Sequence, residues 1–130
     1  MTTVLLDTHV LQWWSAEPDR LSRPAVRAIE QSDELAVAAI TWFELGWLAG
    51  RGRIVVGVPI RSWLEQLASE VPTLGITPAI ADTAVHLPPA FPGDPADRLI
   101  WATALEHGCR LVTKDEKLRR HRHPRPVALW

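Results

Sequence analysis

The sequence predicts an α/β layer fold built on a parallel sheet, and two observations carry that prediction. Short apolar runs such as Thr3-Val4-Leu5-Leu6 lack polar alternation, as strands buried on both faces do. Segments of helical length and periodicity separate those runs, and strands alternating with helices assemble as parallel layers.

Residues 3–6 open the chain as a strand that ends at Asp7, and residues 8–16 read as a helix. A second helix follows Ser22, whose hydroxyl can cap it, with Pro24 in the first turn where a missing N–H costs nothing. Residues 35–39 form the next buried strand, and 41–50 a helix that is apolar nearly all round. Helices over 60–69 and 78–87 flank a strand at 72–76. Pro88 and Pro89 begin a breaker segment that runs to Gly93. A helix over 95–107, a strand over 110–113, a short helix over 116–120 and a closing Val127-Ala128-Leu129 complete the order. No repeat, low-complexity stretch or linker interrupts the 130 residues, so residues 1–130 read as a single domain.

Apolar residues make up 47% and charged residues 22%, a globular rather than a disordered balance. The lone Cys109 has no partner in the chain, which gives no sign of an oxidising compartment. The start of the chain lacks a basic stretch, and no apolar run approaches the ~20 residues of a membrane span. The expectation is a soluble cytoplasmic protein with no membrane partner. Net charge is -1, but seven of the 14 Lys and Arg residues lie from Arg110 onward, opposed there by Asp115 and Glu116. A basic end suits phosphate contact, and equally suits a solvated polar tail.

Four carboxylates stand out, each with an ordinary explanation beside a chemical one. Asp7 and Asp115 follow strands, where parallel sheets form their ligand crevices, yet either is also a plain helix cap. Glu44 is the one charge between Thr41 and Gly50. A charge in apolar surroundings needs a partner or a metal, although Thr41 and Glu44 also have capping-box spacing. Asp97 heads the apolar stripe Ile100, Trp101, Ala104 and Leu105, with Asp94 available to cap that helix. Carboxylates sharing one rim without matching cations cannot all stay ionised unless a cation binds. All-oxygen ligation selects Mg²⁺ or Mn²⁺ over zinc.

The segments Val4-Leu5-Leu6-Asp7-Thr8-His9, the Glu44 helix, Asp94-Pro95-Ala96-Asp97-Arg98-Leu99-Ile100 and Leu111-Val112-Thr113-Lys114-Asp115 together resemble the PIN-domain toxins of the VapC group. These are the ribonuclease halves of bacterial VapBC toxin–antitoxin pairs. The resemblance implies a three-layer fold with a parallel sheet flanked by helices. It implies a Mg²⁺-dependent endoribonuclease, with Mn²⁺ able to substitute, that cleaves structured cellular RNA such as tRNA or rRNA. It also implies a cognate antitoxin protein and a homodimer. Carried over by position, Asp7, Glu44, Asp97 and Asp115 are the catalytic and metal-binding residues, with Thr113, Asp94 and Arg98 in support. Lys114, Lys117, Arg119 and Arg120 are the expected RNA-binding residues. The chain departs from relatives at Leu48, where a basic residue is common, and at Phe91-Pro92-Gly93, where many carry a His. Both departures bear on substrate choice.

In the mechanism so implied, the carboxylates hold one or two Mg²⁺ ions that activate water against the scissile phosphate. A receiver-like phosphoacceptor would need two adjacent acids after the first strand, and Leu6-Asp7-Thr8 has one. A haloacid-dehalogenase-type phosphatase would need an Asp where His9 stands. A catalytically inactive PIN-fold binding module would lack an acidic position, and none is missing. His107-Gly108-Cys109 reads as a helix end, and His121 and His123 as solvated residues of the basic tail.

Tryptophan usage bears on partners, with seven Trp but no Tyr and two Phe. Trp13 and Trp14 sit about 100° apart on one helix, too far for one narrow stripe. Trp42 and Trp47 flank Glu44. The expectation is a groove between the first helix and the Glu44 helix, filled by an antitoxin segment or a second subunit.

Overall fold

The fold is known from a computed structural model, which describes residues 2–130. Five parallel strands, β1 (Thr3–Leu6), β2 (Glu34–Ala38), β3 (Thr73–Leu74), β4 (Arg110–Val112) and β5 (Ala128–Leu129), lie in the order β3-β2-β1-β4-β5. The helices are α1 (Thr8–Ala16), α2 (Arg23–Gln31), α3 (Ile40–Gly50), α4 (Ile60–Ala68), α5 (Pro78–Val85), α6 (Pro95–His107) and α7 (Glu116–Arg120).

Strand period 2 divides the core into two layers. Leu5, Ala36, Ala38 and Leu111 point to one face, where α6 packs through Ile100, Trp101 and Ala104 and α7 through Leu118. Val4, Leu6, Val37 and Val112 point to the other, against Val10 and Leu11 of α1, Ala25 of α2, Leu45 of α3 and Leu67 of α4. The small Ala36 and Ala38 face the layer that holds the fully buried Trp101, so strand and ring volumes complement each other. Each fully buried Leu in these layers adds roughly 1.5–3 kcal/mol by leaving water. Leu5→Ala should therefore cost ~2–5 kcal/mol.

The expected elements are present with ends moved by a residue or two, apart from one addition and one contraction. A 3₁₀ turn at Pro18–Arg20 links α1 to α2. The strand expected over 72–76 shortens to Thr73–Leu74, because it is an edge strand that pairs with β2 alone before Thr77 caps α5. Ser22 caps α2 through the Ala25 N–H, as its position after a loop and before Pro24 predicts. Gly108 ends α6 at a φ of 65°, the left-handed conformation a Cβ would strain. No helix among the described residues is long and apolar enough to cross a membrane.

Chain order reverses at the centre of the sheet. β2 and β3 extend to one side of β1, whereas β4 and β5 extend to the other. A reversal of this kind opens a crevice outside the carboxyl ends of the two central strands. Asp7 follows β1 there, and Thr113 and Asp115 follow β4.

Candidate active site

Asp7 leaves β1 with its backbone N–H bonded to the Val112 carbonyl at 3.0 Å, so the ladder between β1 and β4 fixes its start. Its side chain does two jobs. One oxygen accepts from the Thr8 N–H at 2.8 Å and caps α1, while the other accepts from the Thr113 hydroxyl at 2.6 Å. Thr113 is fully buried, and its oxygen also accepts the Asp115 N–H at 3.1 Å. One hydroxyl thus ties together the acids that end two neighbouring strands. Asp115 caps α7 through the Lys117 and Leu118 N–H groups.

Glu44 reaches the crevice from α3. Its carboxylate accepts from the Thr8 hydroxyl, which also lies 3.3 Å from the Thr41 hydroxyl. This replaces the capping box as a role for Glu44. The helix starts at Ile40 after Ala39, with no side-chain cap, so Thr41 is already inside it and buried.

Asp94 and Asp97 come from the start of α6. Asp94 accepts from the Ala96 N–H at 2.8 Å and the Asp97 N–H at 3.2 Å, the capping role its position before Pro95 predicts. Pro95 in the first turn loses no hydrogen bond, and the positive end of the helix favours both carboxylates.

Asp7, Glu44, Asp94, Asp97 and Asp115 line one cleft of about 490 Å³, together with Thr8, His9, Trp13 and Lys114. Burial and crowding show in the proton affinities of Asp7, Glu44 and Asp97. Burial, then the charges of Asp94, Asp7, Asp115 and Glu44, push the Asp97 carboxyl up to about 7. Burial raises Asp7, against the opposing bonds from Thr113 and Thr8. Burial likewise raises Glu44, with Asp7 and Asp94 adding to it and the Thr8 hydroxyl resisting. Among the described residues none of these acids is in an ion pair. Nor do three His, Cys, Asp or Glu side chains converge there as a ready-made metal cage, since Asp7, Asp94 and Asp115 direct oxygens at backbone N–H or hydroxyl groups.

Of the expected RNA-binding residues only Lys114 lines this cleft, and Arg98 does not. Lys114 borders it, with its ammonium 5.8 Å from the Trp13 ring centre. Lys117 and Arg120 line a different pocket with Ala90, Pro92 and His121, and Arg120 bonds Glu116 at 3.2 Å. Arg119 turns a buried Nε inward. Arg98 points away to the Ala84 carbonyl at 3.2 Å, fastening α6 to the end of α5.

His121 differs from the solvated tail residue its neighbours suggest. Its ring meets Phe91 at 4.6 Å and Trp101 at 5.2 Å, edge to face. Burial lowers its proton affinity, and His123 adds to that. The Phe91 that stands in place of a His-containing segment is the ring His121 packs against. Sequence reasoning also missed Thr8, read as a helix start, and His9, an exposed ring on the rim of the cleft. The Asp-Thr-His run was the available signal for both.

A second, apolar groove of about 410 Å³ adjoins the acids, walled by Ile40, Phe43, Trp47, Leu48 and Pro95. Phe43 and Trp47 are 64% and 53% exposed, unusual for large rings. The Glu44 helix thus supplies the expected aromatic wall, but the first helix supplies Thr8 and His9 instead of its tryptophans. Trp13 is buried and Trp14 packs into the layer formed by Leu6, Val10 and Leu45.

Residues 4–124 match the model of the PIN domain family. The chain is 69% identical to ribonuclease VapC22 of Mycobacterium tuberculosis over 130 residues, the full length of both proteins. It is similar in fold to a chain of VapBC2 from Rickettsia felis bound to a DNA fragment from its promoter, with a TM-score of 0.72, 16% identity and 98% of each chain covered. It is also similar in fold to a chain of a toxin–antitoxin complex from Klebsiella pneumoniae, with a TM-score of 0.70, 22% identity, and 98% and 96% of the chains covered.

Proposed function

Because this chain belongs to the PIN-domain family and within it to the VapC group, we propose that it is the ribonuclease toxin of a toxin–antitoxin pair. The reaction is hydrolysis of phosphodiester bonds in structured cellular RNA, of the tRNA or rRNA class. The observation that carries this reading is the one cleft that Asp7, Glu44, Asp97 and Asp115 line, with none of them in an ion pair with Lys or Arg among the described residues.

That donor set fits a hard cation. All its ligating atoms are oxygen, and the raised proton affinities of Asp7, Glu44 and Asp97 mark a place where positive charge is wanted. Asp7, Glu44, Asp97 and Asp115 would hold Mg²⁺, or Mn²⁺ in its place. Carboxylates already engaged with N–H and hydroxyl groups suit an ion that keeps several of its waters. When bound, the cation supplies a water of lowered pKa and neutralises charge on the phosphate.

The protein's own groups keep the acids aimed. The Thr113 hydroxyl fixes Asp7, and Thr8 fixes Glu44 across the gap between α1 and α3. Asp94 serves by capping α6, which sets the first turn that carries Asp97. The apolar groove beside the acids is the docking place for the antitoxin. Its exposed Phe43 and Trp47 call for apolar side chains, and the neighbouring carboxylates call for an Arg or Lys from the same segment. Carboxamide variants test the reading. Asp7→Asn and Asp97→Asn should keep the fold and lose RNA cleavage, whereas a fully active Asp97→Asn protein would remove the cluster from the chemistry.

A further inference from the structure

We propose that the RNA backbone enters along a cationic cleft between α1 and the segment that follows α3, held there by Arg20 and Arg53 and, where it meets the acids, by Lys114. The inference rests on the ribonuclease reading and assigns substrate and antitoxin to different walls of the same site.

Three depressions meet at His9. The acidic cleft is the middle one, and the apolar groove shares Thr8, His9, Glu44 and Asp94 with it. The third, about 490 Å³, shares His9 and Trp13 with the acidic cleft, meets the apolar groove at His9 and Leu48, and runs between α1 and the segment that follows α3. Gln12, Arg20 and Arg53 line it, with Glu17 as its acid. Among the described residues no Lys or Arg lines the apolar groove itself, and the Arg51 guanidinium 4.2 Å from the Trp47 ring centre is engaged with that ring. A phosphate chain bound for five carboxylates needs cations along its approach, and this third depression offers them.

Their placement follows from the α1 sequence. His9, Trp13 and Glu17 are successive i, i+4 neighbours, so they form one line running from the acids toward Arg20. The Arg20 guanidinium lies 4.6 Å from the Trp13 ring centre, and the Lys114 ammonium approaches the same ring at 5.8 Å. Trp13 is 7% exposed, too little to stack a base. Its part is that of a positioning residue, an aromatic floor that holds two cations at the edge of the acidic cleft. Glu17 lies 3.8 Å from Arg20, with both side chains about half exposed, so solvent screens the pair and leaves Arg20 available. Across the cleft Arg53 is exposed, and no ion pair engages it among the described residues. Its N–H bonds the Leu48 carbonyl at 2.9 Å, which fixes it at the end of α3. Arg53 thus supplies positive charge to the wall on which Leu48 offers none. Lys117 and Arg120, in their separate pocket beside His121, border none of the three depressions.

The test compares Arg20→Glu, Arg53→Glu and the double variant with Arg27→Glu, a control on α2 outside the cleft. Each is measured for retention of labelled bulk tRNA in a metal-chelating buffer across a salt series, for cleavage of that tRNA with Mg²⁺, and for binding of the antitoxin. The expected result is roughly tenfold weaker tRNA retention per reversal, with the salt slope shallower by about 1 for each phosphate left unneutralised. Antitoxin binding and the Arg27→Glu control should match wild type. Wild-type retention and cleavage that both reversals leave unchanged would overturn the inference and spare the ribonuclease reading. Reversals that release the antitoxin but not tRNA would overturn it by making the cleft a protein dock. A wild-type protein that neither retains nor cleaves tRNA, and does neither with rRNA in the same assays, would fail both readings together.

Discussion

The hydroxyl of Thr113 donates a 2.6 Å hydrogen bond to Asp7, joining residues 106 positions apart at the carboxyl ends of adjacent strands. Thr113→Val keeps the shape but removes the donor from a buried site. It should cost about 1–3 kcal/mol of stability, because an Asp7 oxygen loses its partner. RNA cleavage should fall with it, and Thr113→Ser should restore both. Equal melting temperatures and rates for wild type and Thr113→Val would show that this bond orients nothing.

The acidic cluster should make the metal-free protein sensitive to pH in a defined direction. Asp97 has a folded value of about 7 against an ordinary 3.8, so the folded state binds its proton more tightly. The associated stability is fully present below the ordinary value and is lost as pH rises through about 7. Thermal melts in chelator should therefore drop over that window, and Asp97→Asn should flatten the drop. Mg²⁺ should raise the wild-type melting temperature by mass action. Cleavage should run the opposite way and fall on acidification, because protons compete with the cation.

The aromatic wall separates binding from folding. Trp47→Ala should leave the melting temperature nearly unchanged, since the ring is half exposed, while weakening capture of the antitoxin. Trp14→Ala should instead lower stability, as its ring packs into the α1 layer. A Trp47→Ala protein that unfolds with no separable binding defect would return that ring to the core.

The Phe91–Trp101–His121 cluster predicts a polar liability. Among the described residues His121 Nε2 and Trp101 Nε1 are buried without hydrogen-bond partners. Replacing His121 by Phe should be neutral or stabilising, because an unpartnered polar atom is removed from a ring nest. The folded value of His121 lies below its ordinary 6.5, so the stability it contributes is present above that value and lost as pH falls. His121→Phe should remove that acid-side loss, as melts near pH 5 and 7 would show.

Much of this was legible in the residues because burial writes itself into local pattern. Unalternating runs at Val4-Leu5-Leu6 and Leu111-Val112 marked strands with both faces covered, and Asp97 at the head of an apolar stripe marked a half-buried carboxylate that lines the cleft. Features that depend on where distant segments meet were not legible. His121 sits among Arg119, Arg120 and Arg122, so its neighbours pointed to solvent, yet the loop bearing Phe91 folds over it. Thr8 looked like the first residue of a helix, and only the approach of α3 makes its hydroxyl the partner of Glu44. Which basic residues of the tail lie near the acids was not legible for the same reason. Chain proximity grouped Lys114, Lys117 and Arg120, whereas the turn into α7 leaves Lys114 alone at the acids.

The central claim is that the carboxylate cluster works through a bound divalent cation, and metal dependence of RNA cleavage tests it most directly. Purified protein should cleave tRNA or rRNA with Mg²⁺, stop when the ion is chelated, and resume when Mg²⁺ or Mn²⁺ is restored in excess. Asp97→Asn should stay inactive throughout. Cleavage that continues at the full rate in excess chelator would contradict the account.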